Sequence, residues 1–175
     1  AGLTAAALNK LSSDQMVHLE TANLKAIATV AVQGLTSAQL NALDSTQVQA
    51  LTSIQVQALT SSQLNNIDST QVVNLSSAQV RILTSSQLNA LDAAALTALE
   101  SGDVKAISTA TIQTLSSGTI NGLTSLQLQA LTTGQVSNLT TANIAALTTS
   151  QVAAIETVDI AALKTSQIVA LSTNS

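Results

Sequence analysis

The amino-acid sequence predicts an all-α solenoid of very short capped helices, one per octad, with about three octads, or 24 residues, per coil. Three observations carry that expectation. A Leu or Ile stands at every eighth position from Leu3 and Leu11 to Leu163 and Leu171, twenty-two marks without a miss, which is the signature of one small unit stacked many times. The typical octad, Leu-Thr-Ser-x-Gln-Val-x-Ala, is seen at residues 35–42 and 51–58 and contains a helix-start motif. A second period of 24 residues runs through it: Glu20, Asp44, Asp68 and Asp92 take the second position, and Leu40, Leu64 and Leu88 take the sixth.

The helix start comes from the second and fifth positions. A Thr, Ser or Asp N-cap followed three residues later by Gln forms a capping box, in which each side chain satisfies a backbone group at the other's position. The candidate capping pairs are Thr36 with Gln39, Asp44 with Gln47, Thr52 with Gln55, Thr60 with Gln63, and Asp68 with Gln71. Gln occupies twelve of the 21 fifth positions, and Asn23, Asn143, Asp103 and Asp159 keep the site polar where it is absent. In the same frame the octad leucine is N′ and the sixth residue is N4, the two ends of a hydrophobic staple. The candidate core is therefore Leu35, Leu40, Leu43, Val48, Leu51, Val56, Leu59, Leu64, Ile67 and Val72, and all 21 sixth positions are Leu, Val, Ile or Met. The eighth position is usually Ala, small enough for neighbouring backbones to approach.

One continuous helix does not fit, because eight residues at about 100° each rotate the apolar stripe by roughly 80° per repeat. Helices of five or six residues are unstable alone, so only stacking can hold them. The competing architecture is a β-solenoid, since Thr, Val and Ile favour strands. Adjacent Ala and Leu break the alternation of period two, and six glycines are few for over twenty corners. Three octads per coil predict a triangular cross-section with one helix on each side. Residues 1–175 then form a single array with an atypical first coil at 1–26, regular repeats at 27–171 and a tail at 172–175. In the first coil Lys10 and His18 fill the eighth position and Met16 the sixth, the polar turn by which solenoids cap an exposed end. The C-terminal coil looks uncapped and so suited to docking another copy. The N-terminus carries no basic, apolar, small-residue signal, so either a leader was removed or none existed.

Composition excludes several function classes. Charged residues make up 8% of the chain and the net charge is -4, which offers no basic stripe for nucleic acid. Polar residues interrupt every apolar run, so membrane insertion is not expected. There is no Cys, and there are no aromatic residues, which binding sites use heavily. No catalytic, cofactor or metal signature emerges, and the expectation is a protein that is not an enzyme. His18, close to Asp14 and Glu20, reads as a polar residue at the end of the array. Glu100 with Asp103, and Glu156 with Asp159, place two carboxylates three residues apart. Oxygen ligands at that spacing could contribute to a calcium site, but anions at the N-cap and N3 of a helix are the simpler account. Asn74 and Asn138 head glycosylation sequons that a chain rich in Asn, Ser and Thr supplies by chance.

The Leu-Thr-x-x-Gln string resembles the motif of the LTxxQ family of periplasmic stress chaperones, a likeness that covers only a helix start. Over nearly the whole chain, the tandem octads resemble the repetitive Thr/Ala/Gln-rich segments of large secreted or surface proteins of bacteria. That resemblance implies an extracellular or cell-surface structural role. The leading expectation is a self-assembling filament or matrix protein built by end-to-end stacking of solenoid subunits, with itself as partner and with glycans or cell-surface components as further candidates. The alternative is a ligand- or ice-binding protein using regular files of Thr and Ser, among them Thr52, Thr60, Thr124, Thr132, Thr140 and Thr148.

Overall fold

The computed structural model describes residues 5–172; the octad mark Leu3 and tail residues 173–175 lie outside them. Among the described residues the fold consists of twenty-one short helices, α1 (Ala5–Leu8) to α21 (Thr165–Ser172), with no strand. Most are four to six residues long and they start eight residues apart. The all-α solenoid is therefore the architecture, and the β alternative is not supported. Ser172, assigned to the tail from sequence, is instead the last residue of α21.

Each corner is made by an N-cap residue in extended conformation. Thr36 lies at φ -73°, ψ 158° ahead of α5 (Ser37–Asn41), and Thr124 at φ -67°, ψ 159° ahead of α16 (Ser125–Gln129). One residue leaving the helical region and the next entering it redirects the chain. No described residue has a positive φ. The corners thus need no left-handed residue, which is why so few glycines suffice.

Three helices make one coil, because most helices pack on the one three places ahead. α1 contacts α4 (Thr29–Gln33), α4 contacts α7 (Ser53–Ala58), and the same offset holds through α18 (Thr141–Ala145) on α21. Twenty-one helices accordingly stack as seven coils. The octad leucines and sixth-position residues meet inside to form one apolar core. All ten predicted core residues, Leu35, Leu40, Leu43, Val48, Leu51, Val56, Leu59, Leu64, Ile67 and Val72, are at most 7% exposed. Burying each aliphatic side chain is worth about 1.5–3 kcal/mol, which is what holds helices too short to persist alone.

The core has a direction. Sixth-position residues of the first coil, Leu8, Met16 and Leu24, are already at most 1% exposed, whereas their counterpart in the last coil, Ile168, is 41% exposed and Val152 and Ile160 are half-buried. These side chains therefore point toward the following coil. Lys10 and His18 of the first coil are exposed, as expected for its polar eighth positions. Close approach through a small eighth residue shows at Gly34 and Gly122, where an added Cβ would lie 2.7 Å from Asn9 Nδ2 and 2.8 Å from Leu96 Cδ2 of the coil before.

Candidate functional site: the glutamine corners and coil ends

The fifth-position glutamine does more than close a capping box. Its Oε1 accepts the N-cap N–H, at 2.9 Å from Thr36 to Gln39, from Asp44 to Gln47 and from Thr52 to Gln55, and at 2.8 Å from Thr60 to Gln63. The N-cap oxygen in turn accepts the glutamine N–H, as in Gln39 to Thr36 at 3.2 Å and Gln47 to Asp44 at 2.8 Å. The Nε2 group reaches into the coil before. It donates to the octad-leucine carbonyl 28 residues back, at 2.8 Å from Gln39 to Leu11, 2.9 Å from Gln55 to Ile27, 3.0 Å from Gln79 to Leu51 and 2.6 Å from Gln135 to Ile107. In most corners it also donates to the carbonyl 31 residues back, as in Gln63 to Val32 at 2.8 Å.

A helix of one turn leaves nearly all its N–H and C=O groups unsatisfied. Here one carboxamide serves the N-terminal N–H of one helix and the C-terminal carbonyls of another in the coil below. Glutamine suits the task because its side chain holds an acceptor and a donor at the right length. The side chains are buried accordingly: Gln39, Gln47, Gln55, Gln63 and Gln79 are at most 5% exposed. Sequence reasoning found the capping half of this device and missed the half that joins coils. The available signal was the orphan carbonyls at each helix end, which needed a donor 28 to 31 residues further along.

One predicted pair is corrected. Asp68 occupies the N-cap of α9 (Ser69–Val73), but its side chain makes no cap hydrogen bond. Asn41, from the coil before, has taken the place of the glutamine: its Oδ1 accepts Asp68 N–H at 3.0 Å, and its Nδ2 donates to the Asn66 carbonyl at 3.0 Å. Gln71 Oε1 is left buried without a partner, although its Nε2 still donates to Leu43 O at 3.1 Å. Asn89 repeats the wedge, its Oδ1 accepting Ser116 N–H at 3.0 Å and the Thr119 hydroxyl at 2.7 Å.

Other corners lack the glutamine. Asn143, one carbon shorter, keeps both functions, closing its box with Thr140 and donating to Leu115 O at 3.1 Å. Thr111 bonds only within its own corner, to Ser108 Oγ. Replacing Thr111 by Gln is expected to supply a donor to the Val80 and Leu83 carbonyls and to stabilise the fold by about 1 kcal/mol, or roughly 2–4 °C in Tm by calorimetry. At Glu100 and Glu156, which make no side-chain cap, the N3 N–H turns to the N-cap carbonyl instead, from Asp103 at 2.9 Å and Asp159 at 3.0 Å.

Two open grooves lie at corners without the glutamine. One of about 280 Å³ is lined by residues that include Asn89, Leu91, Thr119 and Gly122, where the Thr119 hydroxyl bonds Asn89 Oδ1 of the coil before rather than a main-chain carbonyl. The other, about 510 Å³, is lined by residues that include Lys105, Leu131, Thr133, Glu156 and Asp159. The two carboxylates at fifth positions differ. Asp103 is 5% exposed and accepts the Ser77 hydroxyl at 2.6 Å, while Asp159 is 4% exposed and its Oδ1 has no hydrogen-bond partner.

The remaining candidates are placed as follows. His18 is exposed, and its Nδ1 lies 2.7 Å from the Asp14 main-chain oxygen rather than the carboxylate. Asn138 and Asn74 are half-buried, and Asn138 Nδ2 donates to Gly134 O at 2.7 Å. The second-position hydroxyls of Thr52, Thr60, Thr124, Thr132, Thr140 and Thr148 each accept an N–H of their own helix start, so this file is engaged in capping. Hydroxyls outside this capping file stand at third positions and at exposed fourth positions such as Thr46, Ser62 and Thr70. Among the described residues no group of three or more His, Cys, Asp or Glu could hold a metal ion. No described helix is long and apolar enough to cross a membrane.

No curated protein and no solved structure matches the chain. The ALTTAQ repeat family matches it three times, at residues 16–53, 96–133 and 152–175, together more than half of its length. Each match begins at the sixth position of an octad, Met16, Leu96 or Val152, so the family pattern is in phase with the helical corners. With tandem matches over most of a chain that winds in the same register, the protein belongs to the ALTTAQ repeat family.

Proposed function

We propose that the protein is a structural element that assembles into filaments by end-to-end stacking of its solenoid, at the cell surface or in an extracellular matrix. The observation that carries this is the repeated corner, in which most coils join the one before through the same glutamine donors and a continuous leucine core, a pattern that one solenoid could continue into another along its axis. Val152 and Ile160 are half-buried and Ile168 is 41% exposed, while Gln15 and Asn23 of the first described coil are exposed. In the register of every inner corner, Gln15 of a second copy donates to the Val152 and Ile155 carbonyls. Asn23 takes the Leu163 carbonyl, as Asn143 takes Leu115. Translation along one axis does not close, and so makes a fibre rather than a ring.

The scarcity of charge and the lack of aromatic residues support a structural role; the placement outside the cell extends the resemblance to repeat segments of secreted proteins. Sedimentation velocity and electron microscopy over a range of concentrations test it. The expected result is linear particles that lengthen with concentration, and the double substitution Ile160→Lys with Ile168→Lys is expected to leave single solenoids. Monodisperse short particles at every concentration would overturn the proposal.

A further inference from the structure

We infer that the Glu156–Asp159 corner is a binding site for a divalent, oxygen-preferring cation, with Ca2+ as the fitting ion. At most corners this position holds a glutamine whose Nε2 donates to the carbonyls 31 and 28 residues back. Asp159 puts a carboxylate in that place. It brings no donor to the Leu128 and Leu131 carbonyls, and its Oδ1 is buried without a partner. A buried carboxylate oxygen without a partner is costly unless a cation joins it.

The surroundings differ from the corner at Asp103 in two ways. Ser77 donates to Asp103 at 2.6 Å, whereas Thr133, at the equivalent place in the coil below Asp159, makes no such bond. The Asp159 corner also opens into the groove of about 510 Å³, where Glu156, Leu131 and Thr133 line the wall with it. The lining residues carry two carboxylates, a main-chain carbonyl and a hydroxyl, a mixed set of oxygens of the kind such an ion takes, beside a groove with room for water. Ca2+ accepts six to eight such ligands in irregular geometry, whereas Mg2+ demands a regular octahedron. Lys105 lines the same groove and is the other source of positive charge.

The experiment is thermal unfolding of the whole chain in EDTA, CaCl2 or MgCl2 at matched ionic strength, with isothermal titration calorimetry of Ca2+. The expected result is one Ca2+ per chain and a Tm about 5 °C higher at a hundredfold excess over Kd. The response to Mg2+ is expected to be smaller. Asp159→Gln is expected to raise the Tm in EDTA, by restoring the corner donor, and to abolish the response to Ca2+. A Tm unmoved by Ca2+, or moved equally in Asp159→Gln, overturns the site. So does a loss of stability in Lys105→Gln with no calcium response in the native chain, which would assign the neutralising charge to Lys105.

Discussion

Gln79→Glu is expected to lower stability by about 4 kcal/mol at neutral pH, roughly 10 °C in Tm, the largest effect of any single polar substitution in the array. Gln79 is 5% exposed, its Oε1 accepts Ser76 N–H at 2.9 Å, and its Nε2 donates to Val48 and Leu51 carbonyls at 2.8 and 3.0 Å. Glutamate keeps the acceptor and nearly the same shape, but turns the donor into a second oxygen facing two carbonyls. Gln79→Leu, which removes all the polar functions yet adds no charge, is expected to cost about 2 kcal/mol. The ordering of the two variants is the test, read by urea unfolding. If glutamate proves no worse than leucine, the donor to the coil below is not what the position requires.

The pH dependence of this variant has a definite sign. Desolvation and the facing carbonyls disfavour the charged form, so the folded-state pKa of the introduced carboxyl is raised above its unfolded value of about 4.3. A raised pKa contributes stability that is present in full below the unfolded value and is lost as pH rises through the folded one. The gap between variant and native protein should therefore close on acidification and open toward neutrality. Ser53 stands to this corner as Ser77 stands to Asp103, where it donates at 2.6 Å. A Ser53→Ala background is accordingly expected to widen the neutral-pH gap.

Leu64→Ala is expected to cost about 3–4 kcal/mol, because Leu64 is 1% exposed and among the largest fully buried side chains of the core. It lies on α8 (Ser61–Asn65), which packs on α11 (Ser85–Leu88), so truncation leaves a cavity between adjacent coils. In a solenoid each coil touches only its neighbours, and a weak interface in the middle lets the two flanks unfold separately. Hydrogen exchange should show the amides near residue 64 losing protection before those of the flanking coils, and the denaturant slope should fall. Ile168→Ala, by contrast, is expected to cost under about 1 kcal/mol, since Ile168 is 41% exposed. Equal costs at both positions would contradict a core that points toward the following coil.

Much of this fold is local and could be read along the chain. Thr36 and Gln39 are three residues apart, so the box they close is written in adjacent letters, and Leu35 and Leu40 flank it as a staple. The 24-residue recurrence of Asp44 and Asp68 pointed to three helices per coil, which the contacts of α1 with α4 and α4 with α7 bear out. What could not be read was the fate of groups with no local partner. Asn41 intercepts Asp68 N–H from 27 residues away, and no pattern within an octad distinguishes Asp68 from Asp44, whose box is intact.

The succession of capped turns, their spacing and the identity of the apolar side chains follow from residues within one octad, because capping and stapling are interactions of three to five neighbours. The role of Gln Nε2, the opening of grooves at Thr119 and Asp159, and the one-way facing of the core depend on which atoms the next coil brings to each corner. Those were decided only when the chain closed its coils, since a hydrogen bond across 28 residues forms or fails according to where winding places its acceptor.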